Sequence, residues 1–372
     1  MFVEIANTPR DYAWGSTTAI PELLGTEPSG APQAELWLGA HPGSPARIVG
    51  APGERRTLLD VADGLPYLLK VLAAASPLSL QAHPTPEQAR EGFARENAAG
   101  VPLDAPHRNY KDAAHKPEII YALSDPFRAL CGFRPVAETR AVLEPVAGEA
   151  RIAPLLERLG DDTAIEHVFA WLLTRGEGVE ALVAAVVEAS GALDGPSWHT
   201  VRTLAAHHPG DPGIAISLLL HTVELRPGEV LFLPAGNIHA YLEGLGIELM
   251  ASSDNVLRGG LTPKHVDVPE LLRVLDFRPG PAPYLAPDEL EPGVHAFRPP
   301  VPDFQLTVVS PDAAARGVQV PLAGPAVVLC TEGEVALEGG PSIARGRAVF
   351  VTGEQWLGVR GTGTVFIAAP GG

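Results

Sequence analysis

Two stretches far apart in the chain carry side chains suited to binding a metal. Gln81-Ala82-His83 offers an amide and an imidazole at i and i+2, which on an extended strand project to the same side. Downstream, Gly228-Glu-Val-Leu-Phe-Leu-Pro234-Ala-Gly236-Asn-Ile-His239 is an apolar strand running into a Pro/Gly turn that delivers one histidine. Alone, His239 reads as an ordinary core or surface histidine; together with Gln81 and His83 it points to a metal site. A fourth ligand can come from Glu87 or Glu118. Glu87 lies in Pro86-Glu87-Gln88, which reads as the first turn of a helix, whereas Glu118 opens the strand of His115-Lys116-Pro117-Glu118-Ile-Ile-Tyr, so Glu118 is favoured. Strand alternation puts Lys116 on the same face as Glu118 and Ser79 on the same face as Gln81 and His83.

Composition narrows the chemistry. Cys131 and Cys330 are the only cysteines and lack CxxC partners, which argues against a disulfide framework or a thiolate zinc site. A net charge of −17, from 27 basic and 44 acidic side chains, disfavours nucleic acid as a partner. A small phosphorylated ligand then requires a local cluster of cations. No apolar run approaches the ~18 residues of a membrane span, and Met1-Phe-Val-Glu-Ile has no basic leader. The expectation is a cytoplasmic monomer with no membrane partner.

The elements that must position these residues alternate in type along the chain. Short apolar runs and Pro/Gly turns up to about Tyr121 read as strands, among them Tyr67 to Leu72 and Leu78 to His83. Residues 135–203 switch to helical periodicity, and strand signals return from Ile214 to Leu225 and on to Leu249. Pro-rich segments after Arg278 precede a last all-β region. The pattern predicts a discontinuous β-unit at 1–130 and 210–270, an inserted α-helical unit at 131–209, and a C-terminal β-unit at 271–372. Gly346-Arg-Ala-Val-Phe-Val-Thr-Gly resembles Gly228-Glu-Val-Leu-Phe-Leu-Pro-Ala, with Leu357 in the place of His239. Either this is an internal repeat whose second copy lacks the metal, or two amphipathic strands resemble each other by chance.

The Gly228-x5-Pro234-x-Gly236-x2-His239 spacing is similar to the second motif of cupin barrels, and Gln81-x-His83 to the first. Six blocks make the resemblance more specific. They are Ala34-Glu-Leu-Trp-Leu-Gly-Ala-His-Pro42, Leu65-Pro-Tyr-Leu-Leu-Lys-Val-Leu72, Pro77-Leu-Ser-Leu-Gln-Ala-His-Pro84, His115-Lys-Pro-Glu118, Asn237-Ile-His-Ala-Tyr241 and Ser253-Asp-Asn-Val-Leu-Arg-Gly-Gly-Leu-Thr-Pro-Lys264. In this order they resemble the type I mannose-6-phosphate isomerases (phosphomannose isomerases). Gly259 departs from the family, many of whose members have alanine there.

The resemblance implies a mainly β fold with an α-helical insertion and two cupin-like jelly-roll barrels, only the first metal-binding. It implies a divalent metal, usually zinc, held by Gln81, His83, Glu118 and His239; Mn, Co and Fe are compatible with these ligand types. It implies that the catalytic arginine is Arg258, and that Ser79, His115, Lys116, Glu248, Asp254 and Lys264 surround the sugar phosphate. Lys70 and Tyr241, in matched blocks, are further substrate contacts. Trp14, Glu35, Trp37 and His41 also match but are explained by core packing or pairing.

The implied reaction moves a proton between C1 and C2 through an enediol. It needs electrostatic stabilisation, for which Arg258 has a two-pronged, always charged side chain, and a proton carrier, which can be Lys116 assisted by His115, or Glu248. Asp254, four residues before Arg258, serves to orient it. Two other readings use the same residues: a metal-dependent cupin dioxygenase, and a cupin that binds phosphosugars without turnover.

Overall fold

One strand, His239–Ala251, is the hub of the largest sheet. Its first half pairs with Gln81–Ala82 and Phe127–Phe133, and its second half with Tyr67–Ala74 and Glu118–Ala122. The computed structural model describes residues 1–50, 53–62 and 64–372. The fold is mainly β with a helical block, and the nine-stranded sheet built on this hub continues through Glu35–Leu38, Leu220–Leu225, Val230–Leu233 and Leu257–Arg258.

The hub strand changes register once. Between Tyr241 and Glu243 its pairing with Phe127–Phe133 slips by one residue, a bulge that shifts which residues face which side. His239 and Tyr241 face inward before the slip, and Glu248 and Met250 line the same cavity after it. Tyr241 and Glu248 are an odd number of residues apart, so unbroken alternation would have put them on opposite faces. Glycine serves at Gly244, whose φ is 128° and where a Cβ would lie 2.7 Å from the Phe127 ring.

The helical block contains Val136–Leu143, Ala153–Arg158, Ile165–Leu173, Val179–Ser190 and Pro196–His207. Their apolar faces share one core with Leu80, Ala82, Ile238 and Leu257, so the block packs on the strands that carry the metal-type residues. The run from Ile214 that reads as a strand begins instead as the short helix Gly213–Ile216 and a 3-10 turn at Ser217–Leu219; only Leu220–Leu225 is extended. A short, uniformly buried apolar run carries no periodicity to separate the two states.

The C-terminal strands form an eight-stranded and a four-stranded sheet. The eight-stranded sheet also recruits Phe2–Ala6, paired to Ala348–Val351, and Arg47–Ile48 beyond it. The expected units therefore share a sheet: the first strand, placed at 1–130 by sequence order, hydrogen-bonds within the C-terminal one. One apolar core runs across the contact, from Leu36 and Val71 to Phe350 and Phe366.

Helix Pro86–Ala98 follows His83 directly. Thr85 accepts from the Gln88 amide and the Gln88 side chain returns to the Thr85 amide, closing the helix start. At Gly92 this helix meets the fully buried Tyr110, where a Cβ would fall 2.3 Å from the ring. The loop containing Tyr110 in turn holds Asn255, whose side-chain oxygen accepts from the Lys111 amide at 2.7 Å and whose side-chain nitrogen donates to Ala114 O at 2.8 Å. Gly92→Ala is expected to destabilise the fold by about 1–3 kcal/mol, read as a lower urea midpoint; an unchanged midpoint would show that the Tyr110 ring yields freely.

Candidate metal centre and its cavity

His83, Glu118 and His239 bring ligand atoms within 4.8 Å of one another. Each side chain is 1% exposed or less. Glu118 Oε1 lies 2.8 Å from His239 Nε2 and 3.6 Å from His83 Nε2. The outer ring nitrogens are committed to carbonyls: His83 Nδ1 donates to Asn255 O at 2.7 Å and His239 Nδ1 donates to Asn237 O at 3.0 Å. In a neutral imidazole this leaves Nε2 as a lone pair aimed inward, the tautomer a metal requires. Gln81 is opposite His239 in the strand register, and its amide end is 3.3 Å from His239 Nε2. An amide flip presents its oxygen to the same space.

Two atoms decide whether a cation fits. His83 Nε2 and Glu118 Oε1 are buried without a hydrogen-bond partner among the described residues. A lone pair and a carboxylate oxygen left so are costly unless something positive lies between them. Burial, with help from the Lys116 charge, pushes the His83 imidazole down to about 4, so it is neutral over the physiological range. Burial pushes the Glu118 carboxyl up, but Lys116 and the imidazoles outweigh it and hold it well below the usual carboxylate range. Neutral nitrogen, anionic oxygen and an amide are a donor set for zinc.

The alternative ligand Glu87 is in the first helical turn of Pro86–Ala98, exposed and paired with Arg90 at 2.7 Å. Lys116 lies beside the cluster, with Nζ 3.1 Å from Glu118 Oε2.

A cavity of about 670 Å3 adjoins the cluster, within the ~300–1,000 Å3 of small-molecule sites. Its lining includes Ser79, Gln81, Lys70, Lys116, Tyr241, Glu248, Asp254, Arg258 and Lys264. Lys70 is buried between Glu248, at 2.8 Å, and Glu35, at 3.7 Å. Burial alone would lower its pKa, but the two carboxylates raise it. Burial likewise pushes the Glu248 carboxyl up, against the pull of Lys70. Asp254 is 3.3 Å from His41, whose hydrogen bond and charge help to overcome burial and hold the carboxyl down. Arg258 and Lys264 have no carboxylate within 4.0 Å among the described residues, and burial lowers the pKa of both.

These contacts also separate residues that the sequence groups together. His115 does not line the cavity; its Nε2 is 2.9 Å from Asp303 of the C-terminal region. Alternation explains this, because His115 must point away from the face shared by Lys116 and Glu118. Asp254 meets His41 and shows no ion pair with Arg258, so the expected orienting contact is absent among the described residues. The sequence reading also passed over Tyr12, Thr262, His207 and His208, which line the cavity too. No spacing signal marks the histidine pair, since it lies within the helical block.

The family model for the catalytic domain of type I phosphomannose isomerase matches residues 2–136. Mannose-6-phosphate isomerase from Escherichia coli (strain K12) is 40% identical over 375 residues, covering 95% of each chain. The chain belongs to the type I phosphomannose isomerase family. A crystal structure of a histidine-to-alanine variant of phosphomannose isomerase from Salmonella typhimurium superposes with a TM-score of 0.91 at 37% identity, covering 100% of this chain and 99% of that one. A zinc-bound mannose 6-phosphate isomerase superposes at 0.90 with 38% identity over 100% and 99% of the two chains. In this family member, the partnerless atoms of His83 and Glu118 fit a zinc ion.

If the cluster holds zinc, His83→Ala and His239→Ala should each lower zinc affinity by at least about 100-fold, because each removes one of the three side chains placed to hold it; metal-to-protein ratios after gel filtration measure this. Acid competes by protonating ligands, and His83 accepts its proton only near pH 4. Stepwise dialysis toward lower pH should therefore retain zinc at neutral pH and release it in the acid range as the ligands take up protons, and a zinc content that does not fall with pH would contradict ligation by these side chains.

Proposed function

We propose that the protein interconverts mannose 6-phosphate and fructose 6-phosphate by moving a proton between C1 and C2. The observation that carries this reading is a buried metal-type cluster opening onto a cavity in which Arg258 and Lys264 have no carboxylate partner among the described residues. A site that only polarises a carbonyl needs no cation excess; a phosphorylated substrate does. We also read the nine-stranded region as a cupin-like jelly-roll barrel that holds the metal, and the C-terminal region as a second, metal-free one. Supporting the second point, Leu357 is fully buried in an apolar cluster where the sequence repeat places a ligand.

Gln81, His83, Glu118 and His239 would hold the ion. Bound there, zinc supplies a Lewis acid for the sugar oxygens at C1 and C2. Arg258, paired in register with Gln81, is the cation next to the ligand strand, and its fork is suited to the oxygen charge that develops at the enediolate. Lys264 and Ser79 take the phosphate in this reading. The Lys70, Glu35 and Glu248 triad is closed on itself, so Lys70 positions Glu248 and does not hold the anion. Tyr241, whose buried hydroxyl has no hydrogen-bond partner among the described residues, offers a donor to the sugar.

The proton carrier is Lys116, whose Nζ borders the ligand carboxylate and the cavity. Glu248 is the competing choice, favoured because burial raises its pKa toward the range that general acid–base catalysis uses. His115, tied to Asp303, has no direct part in this account.

Incubating mannose 6-phosphate with the enzyme in heavy water should place deuterium at C1 or C2, and chelation should abolish both exchange and turnover. Turnover-free binding would support a carrier protein instead. Arg258→Ala should keep its zinc and lose kcat by about 100-fold, as for a lost oxyanion donor. Lys116→Met should abolish exchange while Glu248→Gln retains it; the opposite pattern transfers the proton to Glu248.

A further inference from the structure

We infer that His207 and His208, at the end of helix Pro196–His207, complete the phosphate-binding end of the cavity, so that the helical block supplies part of substrate recognition. The inference rests on the phosphosugar reading above and extends it to residues outside the sheet. They are the only residues of the helical block among those that line the cavity.

Their placement is tied to the segment that carries Arg258 and Lys264. The helix ends where the His208 amide donates to Leu204 O at 2.7 Å, and the chain then turns through Asp211, whose amide donates to His208 O at 3.1 Å. Asp211 Oδ1 accepts from the Gly213 amide at 2.7 Å. This turn is seated against the loop between Arg258 and Lys264. A Cβ on Gly213 would fall 2.8 Å from the Leu261 side chain, and one on Gly260 3.1 Å from Asp211 Oδ1. Leu261 itself has φ of 54°, a left-handed conformation rare for a side chain of this kind, and is 1% exposed. Backbone held so far from its preferred region marks a position fixed by its surroundings. The turn and the cationic loop are therefore one packed unit.

Charge and hydrogen bonding say what that unit takes. Lys70 is matched by Glu248 and Glu35, and Lys116 by Glu118, which leaves Arg258 and Lys264 as the cavity's cations without a carboxylate partner among the described residues. His207 Nδ1 donates to Thr203 O at 2.9 Å, so Nε2 is its free nitrogen. The His208 side chain has no hydrogen-bond partner among the described residues. His208, with both ring nitrogens uncommitted, can donate one N–H to a phosphate oxygen, whereas His207 Nε2 can donate only when its ring carries the second proton; both line the cavity that holds Arg258 and Lys264, a setting suited to a phosphate monoester.

The test compares wild type with His208→Ala, the double variant His207→Ala/His208→Ala, and His208→Gln, which keeps a donor. Calorimetric binding of fructose 6-phosphate and of unphosphorylated fructose needs no turnover. Losing a hydrogen bond to the charged phosphate should weaken fructose 6-phosphate binding about tenfold in His208→Ala and more in the double variant. Fructose binding should be unchanged, and His208→Gln should recover most of the loss. In turnover assays KM for mannose 6-phosphate should rise by the same factor, with kcat within about twofold and zinc content constant. Equal weakening of both sugars would assign the pair a structural role, and unchanged fructose 6-phosphate binding would remove it from the site; either result overturns the inference. A wild type that binds fructose 6-phosphate without isomerising it would defeat the isomerase reading while leaving the histidine assignment to the binding comparison. A wild type that binds neither sugar defeats both.

Discussion

A carboxylate oxygen and an imidazole lone pair, both buried, face one another with no protein hydrogen between them. Leaving such groups unsatisfied costs on the order of 1–3 kcal/mol each, more for the charged one. The arrangement is stable only if a cation shares the space, and the neighbouring backbone is shaped to keep that space available. The carbonyls of Asn255 and Asn237 take the outer ring nitrogens, which fixes both rings in the orientation that points the inner nitrogens at Glu118. Asn255 is itself clamped by the loop before Lys116. The ligands, their orienting carbonyls and the loop thus form one connected unit in which no part can shift alone.

The hub strand distributes this constraint. It contributes His239 to the cluster, Tyr241 to the cavity wall, and Glu248 to the pairing with Lys70. A single slipped residue decides whether Glu248 faces the cavity or the opposite core, and Gly244 allows the close approach of Phe127 just beyond it. Two short strands bring the rest: Gln81 lies beside the hub opposite His239, and Arg258 lies opposite Gln81 on the edge strand beyond it.

Electrostatics then divides the cavity by function. A chain of net charge −17 has to capture an anion with few cations, and it first neutralises two of the four cavity lysines and arginines against buried carboxylates. Arg258 and Lys264 remain. The turn that follows the helical block packs on the loop between them. The C-terminal region reaches the segment just before Lys116, through Asp303 and His115.

Much of the site was legible in the chain because it depends on local periodicity. Alternation relates Lys116 to Glu118, a Thr-Pro-Glu-Gln sequence starts a helix and removes Glu87 from consideration, and turn residues deliver His239. The helical block and the metal-type residues follow from such signals too. Tertiary structure alone decided what depends on contacts between distant segments. It set the side that Glu248 faces after the bulge, the partner of Asp254, the turning of His115 to Asp303, the sheet that receives Phe2–Ala6, and the arrival of His207 and His208 at the cavity. Periodicity fixes directions within one element, whereas register slips and docking are settled by the summed packing of many, which no short window of residues contains.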